Sequence, residues 1–262
     1  MISARRLAHA AETSDAASPS RHGTAPLRRP TGPKNLAAVG LTALALLGFA
    51  VAAGQFLGGG HEIDRALLFG LPEPLSGGDP IGPKRLADLA WSLTALGSPE
   101  LVVSVVAIVA GGLVVSQRRR AALFLTVTIG GGAAFAFLLK RFFGWLRPHH
   151  APGEPVEIVL NTSFPSGHTM LATLLFFGLA GLIAWIVPGQ RTLRAYALCV
   201  AASLSCAVGV SRVFLGLHWP TDVIAGWAAS AVWIYLCHRG WRRLQSGPPS
   251  EPGNGRSRFR IP

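Results

Sequence analysis

Six apolar runs separated by short charged or Gly/Pro-rich turns divide this chain and leave it few folds to choose from. They cover residues 36–57, 101–116, 121–139, 169–187, 193–210 and 222–238. A helix needs about 20 apolar residues to cross the hydrocarbon core of a bilayer. Inside that core each backbone polar group must bond within the protein, so spans are helices unless a barrel closes, and no stretch here alternates like a strand. Half of the residues are hydrophobic and 14% are charged, a balance that belongs to membrane proteins. The second run is short as written and is expected to start near Ala95, because Gly97 and Pro99 need not end a helix packed against others. The expected fold is all-α, a polytopic bundle of six transmembrane helices.

The net charge of +12 would suit a nucleic-acid binder if it were gathered on one face, but its distribution follows the apolar runs instead. With the N-terminus inside, 17 of the 24 Lys and Arg residues fall in cytoplasmic segments: the two tails, Arg118–Arg120, and the Arg191/Arg194 turn. That is the positive-inside pattern of a multi-pass protein. The expectation is a plasma-membrane protein with both termini cytoplasmic, in contact with the bilayer and not with nucleic acid. Heavy use of Arg, Ala and Gly suggests a GC-rich bacterial genome.

Residues 1–35 and 239–262 lack apolar periodicity and are expected to be disordered basic tails, leaving 36–238 as one membrane domain. In the long first loop, 63–69 reads as a short interfacial helix and a second amphipathic stretch starts at Lys84. His61, Glu62 and Asp64 are placed where they could line a site entrance, and the sequence does not decide this. Gly130-Gly131-Gly132 reads as a helix-packing face, since small residues let membrane helices approach closely. Cys199, Cys206 and Cys237 are expected in the core, without a metal or disulfide role.

Three polar islands sit at helix ends, and the topology puts all three on the extracytoplasmic side. In the first, Lys140 and Arg147 lie seven residues apart, near one helix face if the helix continues or bends at Gly144. The second, Pro165-Ser166-Gly167-His168, opens a helix whose first-turn N–H groups suit a phosphate, with Gly167 allowing close approach, Ser166 adding a donor and His168 at the rim. The third holds Arg212, whose fork matches a phosphate, and His218 with Asp222 four residues on. On one helix face, such a carboxylate fixes the imidazole tautomer and leaves the other ring nitrogen as a nucleophile. His149 and His150 are adjacent loop residues without companion ligands, so no metal site is expected.

In order, Lys-x6-Arg-Pro, Pro-Ser-Gly-His and Ser-Arg-x5-His-x3-Asp resemble the type-2 phosphatidic acid phosphatase superfamily, with all eleven fixed identities present. The resemblance covers about residues 36–238, including Leu93–Ser98 before the second span. It implies a phosphatase or diphosphatase of membrane lipids, without metal or other cofactor, that works through a phosphohistidine. In that carry-over His218 is the nucleophile, Asp222 its partner and His168 the acid for the leaving group, while Lys140, Arg147, Ser166, Gly167 and Arg212 hold the phosphate. Soluble vanadium haloperoxidases resemble the same islands, but six spans argue against them. The implied substrates are polyprenyl diphosphates such as undecaprenyl diphosphate, phosphatidate, or phosphatidylglycerol phosphate. Two alternatives share the charged residues: a lipid-linked phosphotransferase, and a non-catalytic transporter or binder of anionic lipids. The oligomeric state is open.

Overall fold

The computed structural model describes residues 33–57, 62–68, 83–143 and 163–245, and among them every regular element is an α-helix. In chain order they are α1 (Pro33–Leu57), α2 (Glu62–Leu67), α3 (Lys84–Ala95), α4 (Pro99–Val115), α5 (Arg119–Phe143), α6 (Gly167–Ile186), α7 (Arg191–Phe214) and α8 (Pro220–Gln245). Each of the six apolar runs falls, to within one residue at its end, within one of the long helices α1 and α4 to α8. Three of these, α5, α6 and α7, are long and apolar enough on their own to cross a membrane; α3 and α4 would supply a fourth as one span bent by 45°. Helix α8 runs on through Gln245, into the stretch expected as a tail.

The second run does not start at Ala95. Helix α3 stops there, and Ser98 opens α4 as an N-cap, its hydroxyl accepting from the Leu101 N–H at 3.3 Å with Pro99 in the first helical position. A cap followed by proline is a helix start, because the missing proline N–H is one that a first turn would leave without a partner. A packing demand fixes the break at this point. A Cβ on Gly97 would come within 2.5 Å of the His168 carbonyl oxygen.

Helix α6 is the hub, packing against α4, α5, α7 and α8, while α1 lies along α8 and α3 along α7. One core cluster joins Val102 and Leu113 of α4, Leu125 and Ile129 of α5, and Leu175 and Leu182 of α6. The glycine run in α5 behaves as a packing face at two of its three positions. A Cβ on Gly131 would meet the Trp233 ring at 2.6 Å, and one on Gly132 would meet Leu174 at 2.5 Å. Polar groups between the helices are tied across: Trp233 Nε1 donates to the Thr128 carbonyl at 2.8 Å, and Thr173 Oγ1 lies 2.6 Å from Ser205 Oγ. Such bonds replace the water that a bilayer interior lacks.

The outer surface is apolar, with Phe142 82% and Val115 81% exposed. Surfaces of that kind on a helical bundle face lipid. Cys199 and Cys206, expected in the core, are free thiols on this outer face of α7. The physical reason is that a lipid-facing position accepts a small apolar residue as readily as a core position does.

Candidate active site at one end of the bundle

The α7–α8 turn supplies the central pair. Helix α7 ends in a Schellman motif: Gly216 takes φ of 66°, its N–H donates to the Val213 carbonyl at 2.9 Å, and the Leu217 N–H donates to the Arg212 carbonyl at 3.0 Å. His218 N–H shares the same Arg212 carbonyl at 3.3 Å. The chain is thus folded back at once, placing His218 in the bend before α8 and Asp222 in its first turn. The two are not, as expected, on one helix face. They meet nonetheless, with His218 Nδ1 3.3 Å from Asp222 Oδ2, and both are buried, at 1% and 2% exposure. Gly216 was the available sequence signal for this reversal.

Asp222 Oδ2 collects further donors. The Trp219 N–H donates to it at 3.0 Å, and the Ser163 hydroxyl donates to it through a short hydrogen bond. Ser163 Oγ also lies 3.4 Å from His218 Nδ1 and is fully buried. The carboxylate faces Nδ1, which leaves Nε2 as the nitrogen with a lone pair when the ring is neutral and Nδ1 carries the proton. The sequence reading did not place Ser163 in the site.

Helix α6 starts against the same place. The Ser166 N–H donates to the Asp222 backbone carbonyl at 3.1 Å, and Ser166 Oγ accepts from Thr169 Oγ1 at 2.9 Å. Gly226 of α8 makes the approach possible, since a Cβ there would lie 3.1 Å from the Ser166 carbonyl oxygen. Lys140, in the last turn of α5, runs past Gly167, its Cε 3.1 Å from where a Cβ would stand. Arg212 is buried at 3% exposure, and its Nη1 donates to Thr94 Oγ1 of α3 at 3.2 Å. His168 is half-buried in the first turn of α6, its carbonyl pressed against Gly97. Lys140, Ser166, Gly167, His168, Arg212, His218 and Asp222 therefore come together at one end of the bundle. Arg147, like His149, His150 and the rest of the first island after Phe143, lies outside the described residues.

Asp64 of α2 is the second feature that the sequence left undecided. It is 1% exposed, and its carboxylate accepts from the Thr221 N–H at 2.8 Å and from the Thr221 hydroxyl at 2.9 Å. It is a cap on α8, supplied from the first loop.

A buried His–carboxylate pair, an arginine and a lysine gathered at the end of an apolar helix bundle put a potential nucleophile beside groups able to hold a phosphate. The comparisons agree. Residues 121–246 match the family model described as "PAP2 superfamily". Phosphatidylglycerophosphatase B of Bacillus subtilis is 25% identical over 151 residues, 58% of this chain and 73% of that protein. Lipid A 1-phosphatase of Rhizobium johnstonii is 36% identical over 125 residues, 44% of either protein. Among solved structures, the transmembrane PAP2-type phosphatidylglycerolphosphate phosphatase of Bacillus subtilis superposes with a TM-score of 0.60 at 21% identity, covering 80% of this chain and 98% of that one. At that identity the likeness is one of fold.

Residues 121–246, just under half of the chain, match a PAP2 superfamily domain, and the relatives named above are lipid phosphatases.

Proposed function

We propose that the protein hydrolyses the phosphate or diphosphate head group of a membrane lipid through a phosphohistidine on His218. The observation that carries the reading is the meeting, at one end of an apolar bundle, of an anion-binding set with a nucleophile set. Arg212, Lys140, Ser166 and the first turn of α6 at Gly167 hold the phosphate oxygens, with Arg147 as a further cation. Ser166 already accepts from Thr169, so its own O–H can donate to the ligand. Fixed donors of this kind stabilise the charge that spreads over the equatorial oxygens as the phosphoryl group moves.

In the first step His218 Nε2 attacks phosphorus and a P–N bond forms while the P–O bond to the lipid breaks. His168 gives its proton to the leaving oxygen, and Asp222 stabilises the positive charge on the His218 ring. In the second step His168 takes a proton from water, whose oxygen attacks phosphorus and breaks the P–N bond. Inorganic phosphate leaves and both histidines return to their starting states.

The substrate is amphiphilic on this reading. An apolar groove of about 180 Å³ is lined by Leu86, Leu89 and Leu93 of α3 and by Val210, Ser211 and Phe214 of α7, so that Leu93 and Ser211 of its lining are the chain neighbours of Thr94 and Arg212. It would take the first part of a lipid chain whose phosphate sits on Arg212. Candidate substrates are phosphatidylglycerol phosphate, phosphatidate and undecaprenyl diphosphate. Six spans, a plasma-membrane location, cytoplasmic termini and an outward-facing site complete the proposal, supported by the positive-inside distribution.

The test is phosphate release by detergent-purified protein from these three lipids, with acid-quench trapping of labelled phosphoprotein. Wild type should turn over at least one lipid without added divalent cation. His218→Ala should give neither product nor label. Label retained in His218→Ala would overturn the assignment of the nucleophile, and absence of release from every lipid would overturn the activity.

A further inference from the structure

We propose that Asp64 is a positioning residue for the His218–Asp222 pair, acting through Thr221, and the proposal rests on the catalytic reading of that pair. The first turn of α8 needs partners for its N–H groups, since a helix start cannot supply them itself. Pro220 has none to satisfy. The Asp222 and Val223 N–H groups donate to the Trp219 carbonyl at 3.1 and 3.3 Å, which leaves Thr221 to be served from outside the turn. Asp64 serves it twice, taking the backbone N–H on Oδ1 at 2.8 Å and the hydroxyl on Oδ2 at 2.9 Å.

Two features make this grip more than a local cap. Thr221 directly precedes Asp222, so a rotation of the first turn at Thr221 carries the Asp222 carboxylate with it. Contact between Asp222 Oδ2 and His218 Nδ1 is already 3.3 Å, and a further displacement would lose it. The grip also comes from far away in the chain, from α2 in the first loop, across 157 residues of sequence. With Asp64 at 1% exposure, water is not at hand to replace the two bonds. A carboxylate at the positive end of α8 is also electrostatically favourable. The first loop thus holds the register of the catalytic turn through Thr221.

The full chain in detergent, with phosphatidate and phosphatidylglycerol phosphate as probes, tests this in three variants. Asp64→Ala should lower kcat and the rate of His218 phosphorylation by about 10- to 100-fold, as small misplacements of reacting groups do. KM should stay within about twofold, because the phosphate-holding groups are untouched. Hydrogen exchange of the peptide containing residues 219–223 should become faster. Asp64→Asn should recover most of kcat, since its carbonyl accepts the Thr221 N–H and its amide donates to the hydroxyl, and Thr221→Val should fall between the two. A purely structural cap would instead lower thermal stability with kcat of the folded enzyme unchanged, and that result overturns the proposal. If Asp64→Ala does not fold, Thr221→Val decides: reduced kcat at unchanged KM supports the proposal and wild-type kcat overturns it. Should wild type release no phosphate from either lipid, the proposed activity fails separately, and hydrogen exchange still decides on Asp64: unchanged protection at 219–223 in Asp64→Ala overturns the grip.

Discussion

Helices α6 and α8 begin at the same end of the bundle, and their first turns are finished in opposite ways. At α8 the protein brings its own anion, Asp64, to the positive helix end. At α6 the N-cap residue Ser166 makes no side-chain cap hydrogen bond, a glycine follows, and a lysine side chain passes alongside. A helix N-terminus favours negative charge whatever its source. One end is thus closed by an internal carboxylate and carries Asp222 in its first turn. The other, on the proposed reading, is left for the phosphate of the substrate.

Making the two ends alike is the sharpest way to break this comparison. Ser166→Asp supplies a good N-cap and puts a carboxylate where the substrate phosphate is expected. Phosphate release should fall by about 100-fold or more, as when a main anion-stabilising group is lost, while thermal melting shows the protein still folded. Activity near wild type in that variant would mean that the phosphate does not bind at the α6 end.

A smaller loss is expected from loosening the α8 side without touching its cap. Ser163→Ala removes one donor to the buried Asp222 carboxylate. A hydrogen bond to a charged group is worth about 1.5–3 kcal/mol, so kcat should drop by about tenfold or more. Pre-steady-state trapping should show slower phosphorylation of His218, and an unchanged phosphorylation rate would remove Ser163 from the site.

The smallest effect belongs to Gly167→Ala. The new methyl would stand 3.1 Å from Lys140 Cε, the flexible part of a long side chain, which can yield by a few tenths of an ångström. KM should rise by about threefold with kcat nearly kept, because a cation shifts slightly and the reacting groups do not. A large loss of kcat would show that Gly167 matters for the backbone near the nucleophile instead.

The islands were legible because cations, histidines and a carboxylate are costly at the ends of apolar helices, and their cost makes them conspicuous in sequence. The helices were legible from apolar length alone. What length could not show was which face of each helix meets protein. A membrane helix is apolar on both sides, so the amphipathic contrast that sorts core from surface in a soluble protein is weak, and Cys199 and Cys206 were placed on the wrong side for that reason. Asp64, Ser163 and Thr94 were hidden differently. Each is an ordinary loop or helix-end residue whose meaning comes only from a partner distant in the chain. The helix face assumed for His218 and Asp222 failed because Gly216 turns the backbone first.

Gly97 has a consequence for how variants of this enzyme would be read. It carries no side chain, yet any Cβ there meets the His168 carbonyl oxygen at 2.5 Å and Val208 Cγ1 at 3.0 Å, so one backbone must retreat from another. In a library of random substitutions, position 97 would score beside His168 and His218, the proposed catalytic histidines. Its intolerance would record two main chains in contact and no chemistry, and a mutational map taken at face value would draw the active site one helix break too wide.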